Sequence, residues 1–213
     1  MLQLHYFPDN ASLAPHFLLV ETGVEYSLVL VDRQSNAQKS EEYLKLNPAG
    51  RIPTLVHDDL VLFESPAICT YICELDPASR FIPPLGHQSR PLFFQWLAFL
   101  NNTLQAEYMM WRYAENHTTD PGGVQGIKAA QELRLERFLA LLDQQLGKNR
   151  FLLGDAVSGC DHFLFMLAMW SEELSRPPTS FENLPRFMRD MAARPAVQQV
   201  CAIEEIGLER YLG

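Results

Sequence analysis

The stretch from Asn47 to Ser65, which reads NPAGRIPTLVHDDLVLFES, constrains the fold more than any other part of this chain. Within it, Ile52 precedes a proline and is therefore biased toward extended backbone. Pro53 has no N–H and cannot donate to a sheet ladder. We expect an unpaired backbone edge at this step.

A hairpin and a helix start follow the proline directly. A turn at residues 57–59 separates Thr54–Val56 from Leu60–Phe63, which predicts two short paired strands. Ser65 is then a natural N-cap, and Pro66 suits the first helical position ahead of the apolar run AICTYICEL. A helix start is therefore expected beside the open edge.

This corner has the chemistry to hold a small zwitterionic peptide. An unpaired Ile52 N–H and C=O can pair with an extended peptide by strand addition. The Ser65 hydroxyl and N–H can hold a carboxylate at the positive end of the helix, and Glu64 can pair with an ammonium group. The alternative is an ordinary strand-turn-strand-helix unit with no ligand.

Composition limits the class of protein and its partners. With 213 residues, of which 47% are apolar and 20% charged, the chain can bury a large core in one or two domains. A net charge of -9 argues against a nucleic acid or an anionic membrane surface as a partner. The N-terminus lacks the pattern of a secretory signal and no apolar run reaches membrane-spanning length, so we expect a cytoplasmic protein.

Cysteine and histidine positions predict neither disulfides nor a metal. The four cysteines, at positions 69, 73, 160 and 201, do not form a disulfide framework in a chain of this length. The six histidines, at positions 5, 16, 57, 87, 117 and 162, lack the paired spacing that a metal site needs. We expect no bound metal.

The first 76 residues predict a β-α-β-α-β-β-α order. The elements, in chain order, are a strand over 2–7, a helix from Ser12 to Gly23, a strand over 26–31, a helix over 39–46, the hairpin, and the helix after Ser65. This is a thioredoxin-like arrangement, in which ligands bind beyond the strand ends near helix starts.

The remainder predicts only helices. A proline-rich linker, DPASRFIPPLG over residues 76–86, precedes them. Helices are expected over 88–115, 124–146, from Ser158 onward, 184–193 and 196–203. Ser158 and Asp161 have the spacing of a capping box before an apolar run that suits the middle of a bundle. We expect domains over 1–78 and 87–213, with a linker over 79–86, and thus an α+β fold with an all-α second domain.

The order NPxGxIPTL, hairpin, then Glu64-Ser65 opening a helix resembles the glutathione-binding half of the cytosolic glutathione transferase superfamily. The capped central helix extends the resemblance to essentially the whole chain and implies the glutathione transferase fold. It also implies glutathione as co-substrate, with a cis bond before Pro53. Ile52 would pair with the cysteinyl backbone of glutathione, and Glu64 and Ser65 would hold its γ-glutamyl end.

Such an enzyme must favour the thiolate of glutathione. A thiol has a pKa of about 8.5, and lowering it by two units takes about 2.7 kcal/mol of preferential interaction with the anion. Ser12, at the start of the first helix, is the expected hydroxyl donor, with Tyr6 as the other candidate and Asn10 as an assisting amide. The alternatives are a plain N-cap for Ser12 and a core aromatic for Tyr6.

The segment YFPDNASLAPH looks most like the bacterial beta class, but the chain departs from that pattern in two respects. The beta class carries a cysteine immediately before the serine, where this chain has Ala11. The beta class also has a histidine in the first long helix, and in this chain Gln105 aligns with that position. Both departures weaken a redox role and leave Ser12 as the thiol partner.

The second substrate is expected to be an apolar electrophile or a large flat molecule bound between the domains. Its candidate pocket residues are Phe7, Tyr108 and Arg112, whereas Arg51 could meet the glycyl carboxylate of glutathione or face solvent. The first bundle helix has more apolar residues than one core needs, which predicts a homodimer. Those residues are Leu92, Phe93, Trp96, Phe99 and Leu100.

Three functions compete at this level. The first is conjugation of glutathione to hydrophobic electrophiles. The second is glutathione-dependent thiol-disulfide exchange or peroxide reduction, against which the missing cysteine at position 11 counts. The third is a noncatalytic binding protein of the same fold.

Overall fold

A four-stranded mixed sheet organises the first part of the chain in the computed structural model, which describes residues 1–213. The strand order is β2-β1-β3-β4, with β1 parallel to β2 and antiparallel to β3. The elements in chain order are β1 (Leu2–Tyr6), α1 (Leu13–Thr22), β2 (Tyr26–Leu30), α2 (Glu41–Leu46), β3 (Thr54–His57), β4 (Leu60–Phe63) and α3 (Ser65–Leu75). The predicted β-α-β-α-β-β-α order is confirmed.

The ends of α1 and α3 show where local sequence signals succeed and fail. α1 stops at Gly23, whose φ of 72° is the left-handed conformation that glycine adopts without strain. The prediction that Ser65 is the N-cap of α3 is wrong, because Glu64 occupies that position with a φ of 72°. Ser65 is the first helical residue, and its hydroxyl donates to the Ala11 carbonyl rather than capping its own helix.

Helices make up the chain from Leu85 to Met191, which forms a second unit. They are α4 (Arg90–Phe99), a π-helical turn (Leu100–Gln105), α5 (Ala106–Arg112), α6 (Val124–Lys148), α7 (Gly159–Trp170) and α8 (Leu184–Ala192). The single helix expected over 88–115 is therefore interrupted by the π-helical turn, whose wider hydrogen bonding the apolar pattern does not predict.

α7 is the buried centre of this unit, and its predicted capping box is confirmed. The Asp161 carboxylate accepts hydrogen bonds from the Ser158 N–H and hydroxyl, each at 2.7 Å, and from the Leu152 N–H at 2.9 Å. Asp161 has no exposed surface. These three donors satisfy a carboxylate that would otherwise destabilise the core.

The last 22 residues belong to the same unit as the sheet, and their α9 (Pro195–Ile203) packs against α1. Residues Met1–Pro84 and Ala192–Gly213 form one unit, and the latter range contains α9 and α10 (Glu209–Leu212). The predicted domain boundaries stay a prediction, but these contacts assign the tail differently from a division into 1–78 and 87–213.

The cysteines, candidate metal ligands and apolar helices can now be located in the fold. All four cysteines are free and buried. No group of three or more His, Cys, Asp and Glu side chains is arranged to hold a metal, and no helix has the length and apolarity to cross a membrane. Of the five apolar residues expected to exceed the needs of one core, Phe93, Trp96 and Leu100 are buried within this chain and Leu92 is exposed. The homodimer that this surplus predicts stays a prediction.

Candidate functional site

The loop over residues 47–53, called the proline loop below, has the open backbone edge that the sequence predicts. The Ile52–Pro53 bond is cis, as the family resemblance implied. Neither the N–H nor the C=O of Ile52 makes a backbone hydrogen bond within the chain, because pairing of β1 with β3 ends at Thr54. The Ile52 side chain is buried, so the residue is fixed while its peptide groups remain available.

Buried polar side chains hold the proline loop from the inside. The Tyr43 hydroxyl and the Asn47 amide both donate to the Arg51 carbonyl, each at 2.8 Å. Gly50 has a φ of 58°, and a Cβ there would lie 2.9 Å from the Gln38 carbonyl oxygen, so only glycine fits this turn. The Arg51 side chain itself is exposed.

The loop over residues 7–12, called the first loop below, leads from β1 into α1. Ser12 lies at its end with no exposed surface. The Ser12 hydroxyl donates to the Phe7 carbonyl at 3.1 Å and accepts from the Phe7 N–H at 3.3 Å, and it does not cap α1. The predicted thiol donor therefore already has backbone partners in this loop.

Asn10 shapes the start of α1 from a partly exposed position. Its side-chain oxygen accepts from the Ala11 N–H and its carbonyl accepts from the Leu13 N–H, each at 2.9 Å. The side-chain NH₂ remains a donor at the positive end of the helix.

Glu204, after α9, is a functional candidate that the sequence analysis missed. One of its carboxylate oxygens accepts from the Asp9 N–H at 3.0 Å, and the other lies 2.6 Å from Nδ1 of His16. The His16 and Glu204 side chains have no exposed surface, and Nε2 of His16 lies 3.2 Å from the Tyr26 hydroxyl. No local pattern could have identified this contact, because it joins residues 195 positions apart.

Tyr6, the other thiol candidate, ends β1 in a partly exposed position. Its ring meets His16 edge-on at 6.1 Å between centroids. Partial burial, and secondarily the charge of Glu204, raise the pKa of the Tyr6 phenol above its ordinary value. The hydroxyl is therefore a proton donor rather than a phenolate at neutral pH.

Two contacts bring the predicted site segments together. The Ser65 hydroxyl donates to the Ala11 carbonyl at 2.9 Å, which joins the start of α3 to the first loop. Phe7 packs on a buried cluster of Val31, Tyr43 and Ile52, which joins the first loop to the proline loop. Glu64 is exposed at the same corner.

Three further candidates lie in the helical unit. Tyr108 is buried, with its ring stacked on Trp170 at 5.8 Å between centroids. Arg112 is half exposed, and its guanidinium lies 3.5 Å from the Glu173 carboxylate. The side-chain oxygen of Gln105 is buried without a hydrogen-bond partner.

Comparisons with known proteins match both units. Residues 2–74 match the family described as glutathione S-transferase, N-terminal domain, and residues 118–195 match glutathione S-transferase, C-terminal domain. Glutathione S-transferase GstA of Escherichia coli O157:H7 is 27% identical over 95% of this chain and 98% of its own length.

Solved structures agree over nearly the whole chain. A glutathione S-transferase from Xylella fastidiosa has a TM-score of 0.89 and 28% identity, covering 97% of this chain and 100% of that one. A ternary complex of BphK, a bacterial glutathione S-transferase, has a TM-score of 0.85 and 31% identity, covering 96% and 100%. The chain therefore belongs to the glutathione S-transferase family.

Proposed function

We propose that this protein is a glutathione transferase that conjugates the glutathione thiolate to a hydrophobic electrophile. The observation that carries the proposal is the open Ile52 backbone adjoining the starts of α1 and α3 in a chain of this family. An extended tripeptide with a carboxylate and an amine at one end matches these groups.

Glutathione would bind along the proline loop. The Ile52 N–H and C=O would pair with its cysteinyl backbone. Pro53 has no N–H, so this pairing cannot continue past Ile52. Because the Ser65 hydroxyl already donates to Ala11, the Ser65 N–H at the start of α3 would take the γ-glutamyl carboxylate. Glu64 would pair with the γ-glutamyl ammonium and Arg51 with the glycyl carboxylate.

The thiol would lie at the start of α1, where Ser12, Tyr6 and Asn10 are the candidate donors. The single Ser12 hydroxyl proton is donated to the Phe7 carbonyl. Ser12 can therefore donate to the glutathione sulfur only if that hydrogen bond breaks. Tyr6 and Asn10 can donate without such a rearrangement. In each case the α1 N-terminus adds a field that favours the anion.

Glutathione binding and thiolate absorbance test these assignments. The wild-type protein is expected to bind glutathione, to conjugate it to a chlorodinitrobenzene-type acceptor, and to lower the pKa of the bound thiol. If the wild type does not bind glutathione, the proposed function is wrong. Ser12→Ala, Tyr6→Phe and Asn10→Ala then identify the donor, since only its loss returns the thiol pKa toward about 8.5.

We propose Phe7, Tyr108 and Arg112 as contacts of the electrophile. Arg112→Ala is the cleanest test, because this side chain is half exposed and its removal leaves the core intact. The KM for the electrophile is expected to rise while the KM for glutathione stays unchanged. A rise in both KM values would assign Arg112 to general structure instead.

The thiol-disulfide alternative has little support from the protein's own cysteines. All four are buried, and burial, with added repulsion from Glu204 and Asp9, raises the pKa of Cys201 to about 12. A thiolate at Cys201 is disfavoured and all four cysteines are buried away from substrates, so protein-cysteine redox chemistry is not proposed.

We also propose a homodimer in the cytoplasm. Each unit has exposed apolar side chains that a second copy could cover, namely Leu60, Val61 and Phe63 in one and Leu92 and Phe94 in the other. Phe63→Glu is expected to shift the sedimentation coefficient from that of a dimer to that of a monomer.

A further inference from the structure

Two buried side chains converge on one backbone oxygen in the proline loop. Tyr43, from α2, is 5% exposed and Asn47, which follows α2, is 2% exposed. Both donate to the Arg51 carbonyl at 2.8 Å. Asn47 also accepts from the Ala49 N–H at 3.1 Å, so its amide orientation is fixed. A carbonyl held by two buried donors has little freedom to rotate.

This carbonyl belongs to the same peptide plane as the Ile52 N–H. The Arg51–Ile52 bond is trans, since the Ile52–Pro53 bond is the only cis bond in the chain. In a trans peptide, the C=O and the N–H point in opposite directions within one plane. Holding the Arg51 oxygen toward Tyr43 and Asn47 therefore directs the Ile52 N–H away from them, where no group of the chain accepts it.

We propose that Tyr43 and Asn47 are positioning residues that orient the Ile52 N–H toward the peptide ligand. The inference rests on the proposed function, because it assigns the means by which glutathione is captured. Fixing a donor before the ligand arrives lowers the entropic cost of binding. Neither side chain needs to touch glutathione, and the effect falls on its affinity rather than on the chemical step.

Thr54 provides a matched control. Its hydroxyl lies 2.9 Å from the Tyr43 hydroxyl. Because the single Tyr43 proton goes to Arg51, Thr54 must donate to Tyr43. Thr54→Val therefore removes a buried hydrogen bond of the same tyrosine while the bond from Tyr43 to Arg51 stays in place.

The test compares Tyr43→Phe, Asn47→Asp and Thr54→Val by calorimetric titration with glutathione and by steady-state kinetics. Tyr43→Phe keeps the ring, and Asn47→Asp keeps the oxygen that accepts from Ala49 but loses the donor to Arg51. Each is expected to raise the Kd and KM for glutathione about five- to tenfold, the equivalent of one lost hydrogen bond. The kcat, the KM for the electrophile and all Thr54→Val values should stay within about twofold.

A second measurement reports on the peptide plane directly. In protein labelled with ¹⁵N-isoleucine, the Ile52 amide signal of the free protein should shift in Tyr43→Phe and Asn47→Asp but not in Thr54→Val. This readout needs no ligand, and Tyr43→Phe keeps it decisive should the buried charge of Asn47→Asp prevent folding.

The outcomes separate the two proposals. Unchanged glutathione affinity and an unmoved Ile52 signal in Tyr43→Phe would overturn the positioning role while leaving the proposed function intact. Equal losses in Thr54→Val and Tyr43→Phe, with both KM values raised, would also overturn it, because general loosening would then explain the data. A wild type that does not bind glutathione would refute the proposed function and, with it, this role.

Discussion

The two loops of the candidate site are anchored in opposite ways. The proline loop is held by Tyr43 and Asn47, which lie eight and four positions from the Arg51 carbonyl that they bind. The first loop is held by Glu204, 195 positions from Asp9, and by Ser65, 54 positions from Ala11. The proline loop is thus held by residues close to it in sequence, whereas the first loop depends on residues far from it, including the tail of the chain.

This difference has consequences for stability and for function. Contacts between residues close in sequence close a short loop at a small entropic cost, whereas contacts between distant residues close a long loop at a larger cost. The proline loop should therefore keep its shape under changes that loosen the tail. The first loop, where the thiol is proposed to bind, should be the more sensitive of the two.

The largest expected effect is that of Glu204→Ala. Removing one partner of a buried, hydrogen-bonded pair costs roughly 3–5 kcal/mol, since His16 and the Asp9 N–H lose their partner. Urea unfolding measures the loss, and Glu205→Gln, at the exposed neighbouring position, should change little. A loss below about 1 kcal/mol would contradict the view that the first loop depends on this anchor.

Gly50→Ala tests the local anchoring of the proline loop. The left-handed φ and the close approach of the Gln38 carbonyl predict a loss of about 2–3 kcal/mol in the free energy of unfolding. Gly23→Ala is the matched control, with a φ of 72° and nothing within 4 Å of the added Cβ, so it should lose only about 1 kcal/mol. Equal losses would show that the loop tolerates the extra carbon.

Ser65→Ala should have a smaller effect, because it removes one hydrogen bond between the start of α3 and the first loop. About 1 kcal/mol is expected from thermal or urea unfolding. Ser35→Ala, which removes an exposed hydroxyl bond to Asp32, should stay within about 0.5 kcal/mol. If the two variants lose the same amount, the contact with Ala11 adds nothing to the first loop.

The smallest expected effect is the pH dependence of stability that comes from His5, a residue of β1 that lies beside Tyr43. Burial lowers the pKa of His5, whose ring lies 6.0 Å from that of Tyr43, below its ordinary value of 6.5. The unfolded chain therefore binds a proton at His5 more readily than the folded chain does. The free energy of unfolding should fall as the pH drops through about 6.5 toward the folded pKa, which gives a slope of stability against pH. His5→Gln should reduce this slope, whereas His117→Gln, at an exposed position, should leave it intact.

Much of the fold was predictable because its signals are local. Gly23 ends α1, the hairpin follows Pro53, and Ser158 and Asp161 cap α7, each as the neighbouring residues indicate. The open edge at Ile52 was predictable for the same reason, since a proline cannot continue a ladder. These features depend on backbone conformation and on the nearest few side chains.

Sequence reasoning was least informative where distant segments meet. Ser65 has the chemistry of an N-cap, but Ala11 takes its hydroxyl. Ser12 stays a candidate thiol donor, but its local sequence does not show that its hydroxyl already donates to the Phe7 carbonyl. The sequence also does not separate the five apolar residues of the expected first bundle helix, of which Phe93, Trp96 and Leu100 lie in the core. The sequence shows that a residue has a hydroxyl or an apolar side chain, but it does not show which residue that side chain contacts in the folded chain.

The sequence by itself determined the order of strands and helices, the proline loop and the family resemblance, because these follow from short-range backbone preferences and from motif spacing. Only the tertiary structure decided that Glu204 holds the first loop and that Tyr43 and Asn47 hold the Arg51 carbonyl. The physical reason is that a hydrogen bond depends on distance in space, and chain folding sets that distance between residues whose local sequences carry no record of each other.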